Sequence, residues 1–225
     1  MPAAKRRRKS IVGIEAAIVL IAFVIIAAAL AYVVVNTGFF ASQKSKDTIM
    51  RGISEAASSL QLDGSVVAYV NGTKSGEKVV AANVTALVIP VKISVGREGV
   101  DVSNRSLVVT VWIIGNRSLY MPDIYNGTTV EANIAFDETN ITATIEEIAK
   151  KSNRPVAYMA IANSDGDRLL ESNEKGFLII FLGSKYAARE YDIVKIEVKA
   201  PIGASLIVER EIPPGLEPNQ LIDLR

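Results

Sequence analysis

IVGIEAAIVLIAFVIIAAALAYVVVN, residues 11–36, holds an unbroken apolar run: every position from Ala16 to Val35 is aliphatic or aromatic. At about 1.5 Å per residue this run forms a helix roughly 30 Å long, the hydrocarbon thickness of a bilayer. Lys5, Arg6, Arg7, Arg8 and Lys9 stand just before it. Basic residues at the start of a span predict a cytoplasmic N-terminus and an exported remainder. Glu15 interrupts the beginning of the segment, and a carboxylate at that depth is costly without a partner.

The rest of the chain has a different character. The 225 residues suffice for one good-sized domain, or for a smaller domain plus an extended element. The net charge is +1, but the five leading basic residues mask an excess of acid: without them 20 basic face 24 acidic residues, a net of −4. That balance argues against nucleic-acid binding. Cysteine and histidine are both absent, which excludes disulfides, thiolate zinc sites, Cys–His nucleophiles and Ser–His–Asp triads. The glycines are scattered, with neither a dinucleotide fingerprint nor a phosphate-cradling GKS or GKT, so no cofactor is expected.

An ordinary secretory signal shares the basic start, and Ala29-Leu30-Ala31 offers a small-residue cut that would leave Tyr32 first. Against it, the apolar core exceeds the usual length of such signals, and the helical pattern continues past it. Ile49, Met50, Ile53, Ala56, Ala57 and Leu60 recur at spacings of three and four, and Asp63-Gly64 supplies a stop. The expectation is one helix from Ile11 to about Leu62, near 75 Å long, with Gly38 and Gly52 as its weakest points.

Lys9-Ser10-Ile11-Val12-Gly13-Ile14-Glu15, then AAIVLIAFVIIAAALAYVVVN, then GFFASQKSK from Gly38 to Lys46, resembles the class III signal and N-terminal helix of archaeal flagellins (archaellins). The resemblance is specific over residues 5–63 and weaker beyond. It implies that a prepilin-type signal peptidase cuts between the basic leader and the helix. The cut falls after Ser10, making Ile11 the new N-terminus and Gly13 its third residue, or alternatively after Gly13. Ser10 departs from the commoner glycine at that position. Glu15, the mature fifth residue in the first alignment, is similar to the type IV pilin carboxylate that meets a neighbouring subunit's terminal amine; it equally suits the lipid headgroup level. The implied organisation is a leader over 1–10, a long helix over 11–63 and an exported domain over 64–225. The implied fold class is α+β, a hydrophobic helix followed by an immunoglobulin-like antiparallel β-sandwich.

From Gly64 onward the residues themselves read as strands. Ser65–Val70, Lys78–Val95, Leu107–Ile114, Asn140–Ile148, Pro155–Ala162, Gly176–Leu182, Ile193–Lys199 and Ala204–Glu211 are rich in Val, Ile, Thr and aromatics and mostly separated by turn formers. About eight short strands suggest a sandwich. Val194-Lys195-Ile196-Glu197-Val198-Lys199 alternates like an edge or outer strand. Phe177-Leu178-Ile179-Ile180-Phe181-Leu182 is apolar on both faces and requires a second covering element or subunit.

Six Asn-x-Ser/Thr triplets, at Asn71, Asn83, Asn104, Asn116, Asn126 and Asn140, fall within 70 residues, more than composition alone supplies. They predict N-linked glycans on exposed loops or strand edges, facing away from subunit contacts. Asn-Gly-Thr at Asn71 and Asn126 also suits hairpin turns. Asn163, Asp165 and Asp167 with Glu174 resemble a calcium loop, but Arg168 stands where such a loop needs glycine and no helix pair flanks it; a polar turn fits better. The pairs Glu146-Glu147 and Asp137-Glu138 read as solvated surface, because adjacent strand residues point to opposite faces.

The expected function is a non-enzymatic filament subunit. Identical or paralogous copies polymerise through the N-terminal helix, served by an assembly platform and motor, after a stay in the membrane. An adhesive type IV pilus subunit shares the signal and export route. A membrane-anchored extracellular binding module requires a concave aromatic pocket, which a chain with one tryptophan, Trp112, does not favour.

Overall fold

The structure is a computed structural model describing residues 7–56, 59–75, 78–95, 99–128, 138–152 and 154–224. It divides into two compact units, Met1–Ile53 and Ser54–Arg225.

The described residues of the first unit all belong to α1 (Arg7–Ala56), a continuous helix of 50 residues, roughly 75 Å at the standard rise. It runs unbroken through Gly38 and Gly52, where an added Cβ would meet nothing within 4 Å. Its apolar residues lie on every side: the consecutive Ile18, Val19, Leu20 and Ile21 are all exposed, as are Phe23 through Ile26. A helix apolar all round belongs in lipid or in a larger apolar core. The segment from Gly13 to Glu55 is long and apolar enough to cross a membrane.

The helix ends earlier than the expected Leu62. Leu60–Leu62 is instead a strand, β1, whose Leu60 pairs with Ile93 and is 1% exposed. Sheet pairing and full burial of a leucine outweigh the weak continuation of helical spacing. Ala57 lies outside the described residues. Asp63-Gly64 is therefore the turn leaving β1, and no helix stop.

After β1 come β2 (Val66–Ser75), β3 (Lys78–Ile93), β4 (Val100–Asp101), β5 (Val108–Ile114), β6 (Leu119–Met121), β7 (Tyr125–Thr128), α2 (Glu138–Lys151), β8 (Val156–Ala162), β9 (Leu169–Leu170), β10 (Lys175–Phe181), β11 (Ile193–Lys199), β12 (Leu206–Glu211) and β13 (Gln220–Leu224). One sheet has the order β13-β2-β3-β10-β8-β7, with β1 also on β3; the other has the order β12-β11-β5-β6; β4 and β9 form a small ribbon. Among the described residues all strand pairings are antiparallel except β7 with β8, which is parallel.

The main core lies between the two larger sheets. Val66, Ala68, Leu87, Ile89, Leu178 and Ile180 from one meet Val109, Val111, Ile113, Val194, Ile196 and Val198 from the other. Alternate residues of the larger sheet, including Tyr69, Val88, Ile179 and Phe181, face the opposite way and pack under Ile145 and Ile148 of α2. The second unit is thus three layers: small sheet, large sheet, helix.

Two strand expectations are corrected here. Asn140–Ile148 is helical, part of α2. Its β-branched Ile and Thr favour strand by propensity, but the apolar spacing 141, 145, 148 is helical, and covering the second face of the large sheet decides the outcome. That helix is the covering element which the doubly apolar Phe177–Leu182 requires. Val194–Lys199 is no edge strand: β11 is bonded to β12 on one side and β5 on the other, and its alternation reports a solvated outer face instead.

Candidate assembly and glycan sites

On α1, Ser10 and Ile11 are helical in backbone, and their side chains lie outside the described residues, as do Lys5 and Arg6 altogether. Gly13 has nothing within 4 Å of a built Cβ, and Glu15 is exposed. Further along, the hydroxyls of Thr37 and Thr48 donate to the carbonyls of Val33 (2.8 Å) and Lys44 (2.9 Å). These back-bonds satisfy polar groups from within the helix, which an apolar surrounding demands.

The Asn-x-Ser/Thr triplets are distributed over the second unit in distinct settings. Asn71 and Asn83 are directly opposed partners on β2 and β3, so both project from one face of the sheet. Asn71 follows Val67 and Tyr69 at alternate positions, which fixes that face as the one α2 covers further along. Asn71 does not make a hairpin turn: it sits within β2, and a Cβ on Gly72 would fall 2.0 Å from the carbonyl oxygen of Ala81. The glycine is there because the two backbones crowd together.

Asn126 lies in β7 and likewise turns no hairpin. The following Gly127 has φ +105 and packs on Asn104, while the Asn126 Nδ2 donates to the Tyr158 hydroxyl at 3.0 Å. Asn104 is exposed, but the serine of its triplet is engaged: Ser106 Oγ donates to Asp101 Oδ2 at 2.8 Å. The same carboxylate accepts the Ser103 N–H at 2.8 Å, and these bonds, the Ser103 one foremost, hold the Asp101 carboxyl below its usual range. Asn116 and Ser118 are exposed in the connection from β5 to β6. Asn140 lies on α2 with its side chain outside the described residues.

Two open clefts mark this unit. One of about 550 Å³ is lined by Tyr120, Tyr125, Asn126, Arg154 and Tyr186, among others. The other, about 480 Å³, is lined by Asn71, Thr85, Ala149, Phe181, Gly183, Ser184 and Lys185. Thr85 is the extra residue where the β2–β3 register shifts; it is 3% exposed, and its hydroxyl has no hydrogen-bond partner among the described residues.

The acidic loop after β8 uses its oxygens on its own backbone. Buried Glu174 accepts the N–H groups of Asp165 (3.3 Å) and Glu171 (3.0 Å); Asp165 accepts from Asp167 (3.2 Å) and Asp167 from Leu169 (2.8 Å). Asn163 and Gly166 take positive φ. The arrangement is a polar turn, and among the described residues no cluster of three or more acidic, His or Cys side chains converges as a metal site would require. Glu146 and Glu147 are exposed on α2, a helix and not a strand; Asp137 lies outside the described residues.

Sequence reading missed the ion cluster at the β1–β2 turn. Asp63 pairs with Lys175 (2.8 Å) and Lys92 (2.9 Å), joining the turn to β10 and β3. Its backbone N–H donates to the Pro90 carbonyl at 2.9 Å. The Lys175 hydrogen bond and then the Lys92 one hold its carboxyl below 3.8, against a smaller opposing effect of burial. No local spacing announces a contact made by strand pairing.

A family model described as archaeal-type flagellin matches residues 10–210. A probable flagellin 1 of Aeropyrum pernix is 42% identical over 219 residues, covering 97% of this chain and 99% of its own length. A probable flagellin 1 of Archaeoglobus fulgidus is 31% identical over 216 residues, 94% of each chain. Among solved structures, the archaeal flagellum of Methanospirillum hungatei strain JF1 matches with a TM-score of 0.53 at 24% identity, over 93% of this chain and 99% of that one. At that identity the last match bears on the fold.

Proposed function

Because the chain belongs to the archaeal-type flagellin family, we infer that it is a structural subunit of the archaellum filament at the cell surface, polymerising with like subunits for swimming motility. The observation that carries this reading is α1: 50 residues of helix with exposed apolar side chains on every side. Water does not tolerate such a surface, and like helices packed side by side bury it at about 25 cal/mol per Å² relative to water.

The finer steps of this reading rest on the basic head of the same helix and its resemblance to archaellin signals. The precursor rests in the cytoplasmic membrane with its basic head inside. A prepilin-type peptidase cuts after Ser10, or in the alternative after Gly13, and the freed amine meets Glu15 of a neighbouring subunit. Pairing a carboxylate with an amine lowers the cost of carrying both into an apolar core. The second unit then faces outward and carries N-linked glycans; the chain performs no catalysis, and an assembly platform and motor supply extrusion and rotation.

N-terminal mass determination on purified filaments tests the processing step: the mature chain starts at Ile11, whereas a start at Tyr32 refutes the retained helix. Deleting the chain abolishes swimming if no paralogue replaces it. Lost surface attachment with intact swimming would point to an adhesive pilus instead.

A further inference from the structure

We propose that Asn71 is the modified member of the Asn71/Asn83 pair, and that its first sugar occupies the cleft lined by Thr85, Ala149 and Phe181. This rests on reading the triplets as glycan acceptors.

Three observations separate two triplets that look alike in sequence. First, directly opposed residues of an antiparallel pair have Cβ atoms only about 4.5–5.5 Å apart. Asn71 and Asn83 are so opposed, and two sugar rings cannot stand side by side on one face at that spacing. Second, an acceptor asparagine is distinguished by the hydroxyl two residues on. For Asn71 this is Thr73, and both residues are exposed. For Asn83 it is Thr85, 3% exposed, with Asn83 itself half-buried. Of this pair, the folded domain therefore offers only Asn71 as a complete acceptor to a transferase.

Third, the cleft adjoins Asn71. Thr85 lines it, and among the described residues its buried hydroxyl has no partner, an arrangement that costs free energy until a donor or acceptor arrives. A sugar supplies several hydroxyls, Phe181 and Ala149 offer an apolar floor for its ring face, and Ser184 and Lys185 stand exposed among the lining residues. The threonine that makes Asn83 look like an acceptor thus serves its neighbour's glycan.

The transfer balances with a lipid-linked oligosaccharide as donor. The Asn71 Nδ2 forms a bond to the anomeric carbon, the bond from that carbon to the lipid phosphate oxygen breaks, and the amide proton leaves as the lipid phosphate departs.

Filaments from the native cells, digested to give a peptide spanning residues 70–87, test the pair by mass spectrometry. The expected result is one glycan mass, localised to Asn71 by fragmentation. Two glycans on that peptide, a glycan on Asn83, or a bare peptide in a chain glycosylated elsewhere overturns the proposal alone. A chain bare at every triplet overturns the acceptor reading as well. In N71Q, and in T73A as a second route to the same loss, the peptide loses its glycan mass, and amide exchange around Ile145–Ala149 of α2 quickens. In N83Q both stay as in the parent. Loss of the glycan with unchanged exchange refutes the placement in the cleft.

Discussion

The two units solve the problem of apolar surface in opposite ways. The second unit closes on itself: Leu178 and Ile180 turn one way into the sandwich while Ile179 and Phe181 turn the other way under α2, so a strand apolar on both faces leaves nothing exposed. In α1 the same kind of residue, at higher density, is covered by nothing among the described residues of its own unit. The first pattern needs only its own chain; the second needs a host. This difference teaches that the two units answer to different selections, one for self-sufficient folding and one for association.

A charge in the middle of α1 should break the comparison most severely. Ile25→Asp imposes about 3 kcal/mol against insertion at the helix centre and strands a carboxylate in any packed core. The expected outcome is loss of filaments by electron microscopy. A fragment spanning 54–225, which lacks all but the last turn of α1, should still unfold in one cooperative transition, and a fragment that fails to fold would show that the second unit is not self-sufficient.

Next in size are truncations in the second unit. Ile180→Ala and Ile179→Ala should each cost about 2–5 kcal/mol in denaturant unfolding, because both residues are at most 1% exposed. Comparable losses on the two faces establish α2 as a true layer; a near-neutral Ile179→Ala would reduce it to an ornament.

How much of this was legible turns on distance along the chain. The helix announced itself because its evidence is consecutive: twenty apolar residues with basic residues before them. Most of the longer strands were equally readable from β-branched runs. Misreadings arose where tertiary context overrode local preference. Residues 140–148 have strand-like composition but helical spacing, and the exposed second face of Phe177–Leu182 decided between them. Leu60 continued a helical rhythm yet was claimed by Ile93 across a strand pair. The triplets were visible as motifs, but their inequality was not, because the burial of Thr85 and the opposition of Asn71 to Asn83 exist only once the sheet is formed.

The smallest effect expected is at the β1–β2 turn. Asp63→Asn removes a carboxylate shared by two half-exposed lysines, and about 0.5–1 kcal/mol is expected at neutral pH, in line with surface ion pairs. Its carboxyl is held below 3.8 in the folded state, so the stabilisation is complete above the ordinary carboxylate range and disappears as pH falls through the lowered value. Urea midpoints of the parent and the variant should therefore differ at pH 7 and converge in strong acid; a gap that persists there would mean the lysines are not its source.

Thr37 and Thr48, each bonded back onto its own helix, confer portability on α1. A side chain that needed water or a particular neighbour would tie the helix to one surrounding. With their hydroxyls satisfied internally, the two threonines add nothing to what Glu15 and the charged residues Lys44, Lys46, Asp47 and Arg51 already ask of a surrounding, and lipid tails are as apolar as packed leucine. Passage from bilayer to filament is then an exchange between near-equivalent hosts, with little gained from the hydrophobic effect in the transfer itself. Directionality must come from the specific contacts that lipid cannot imitate, which makes the subunit a cargo that is cheap to move and selective only on arrival.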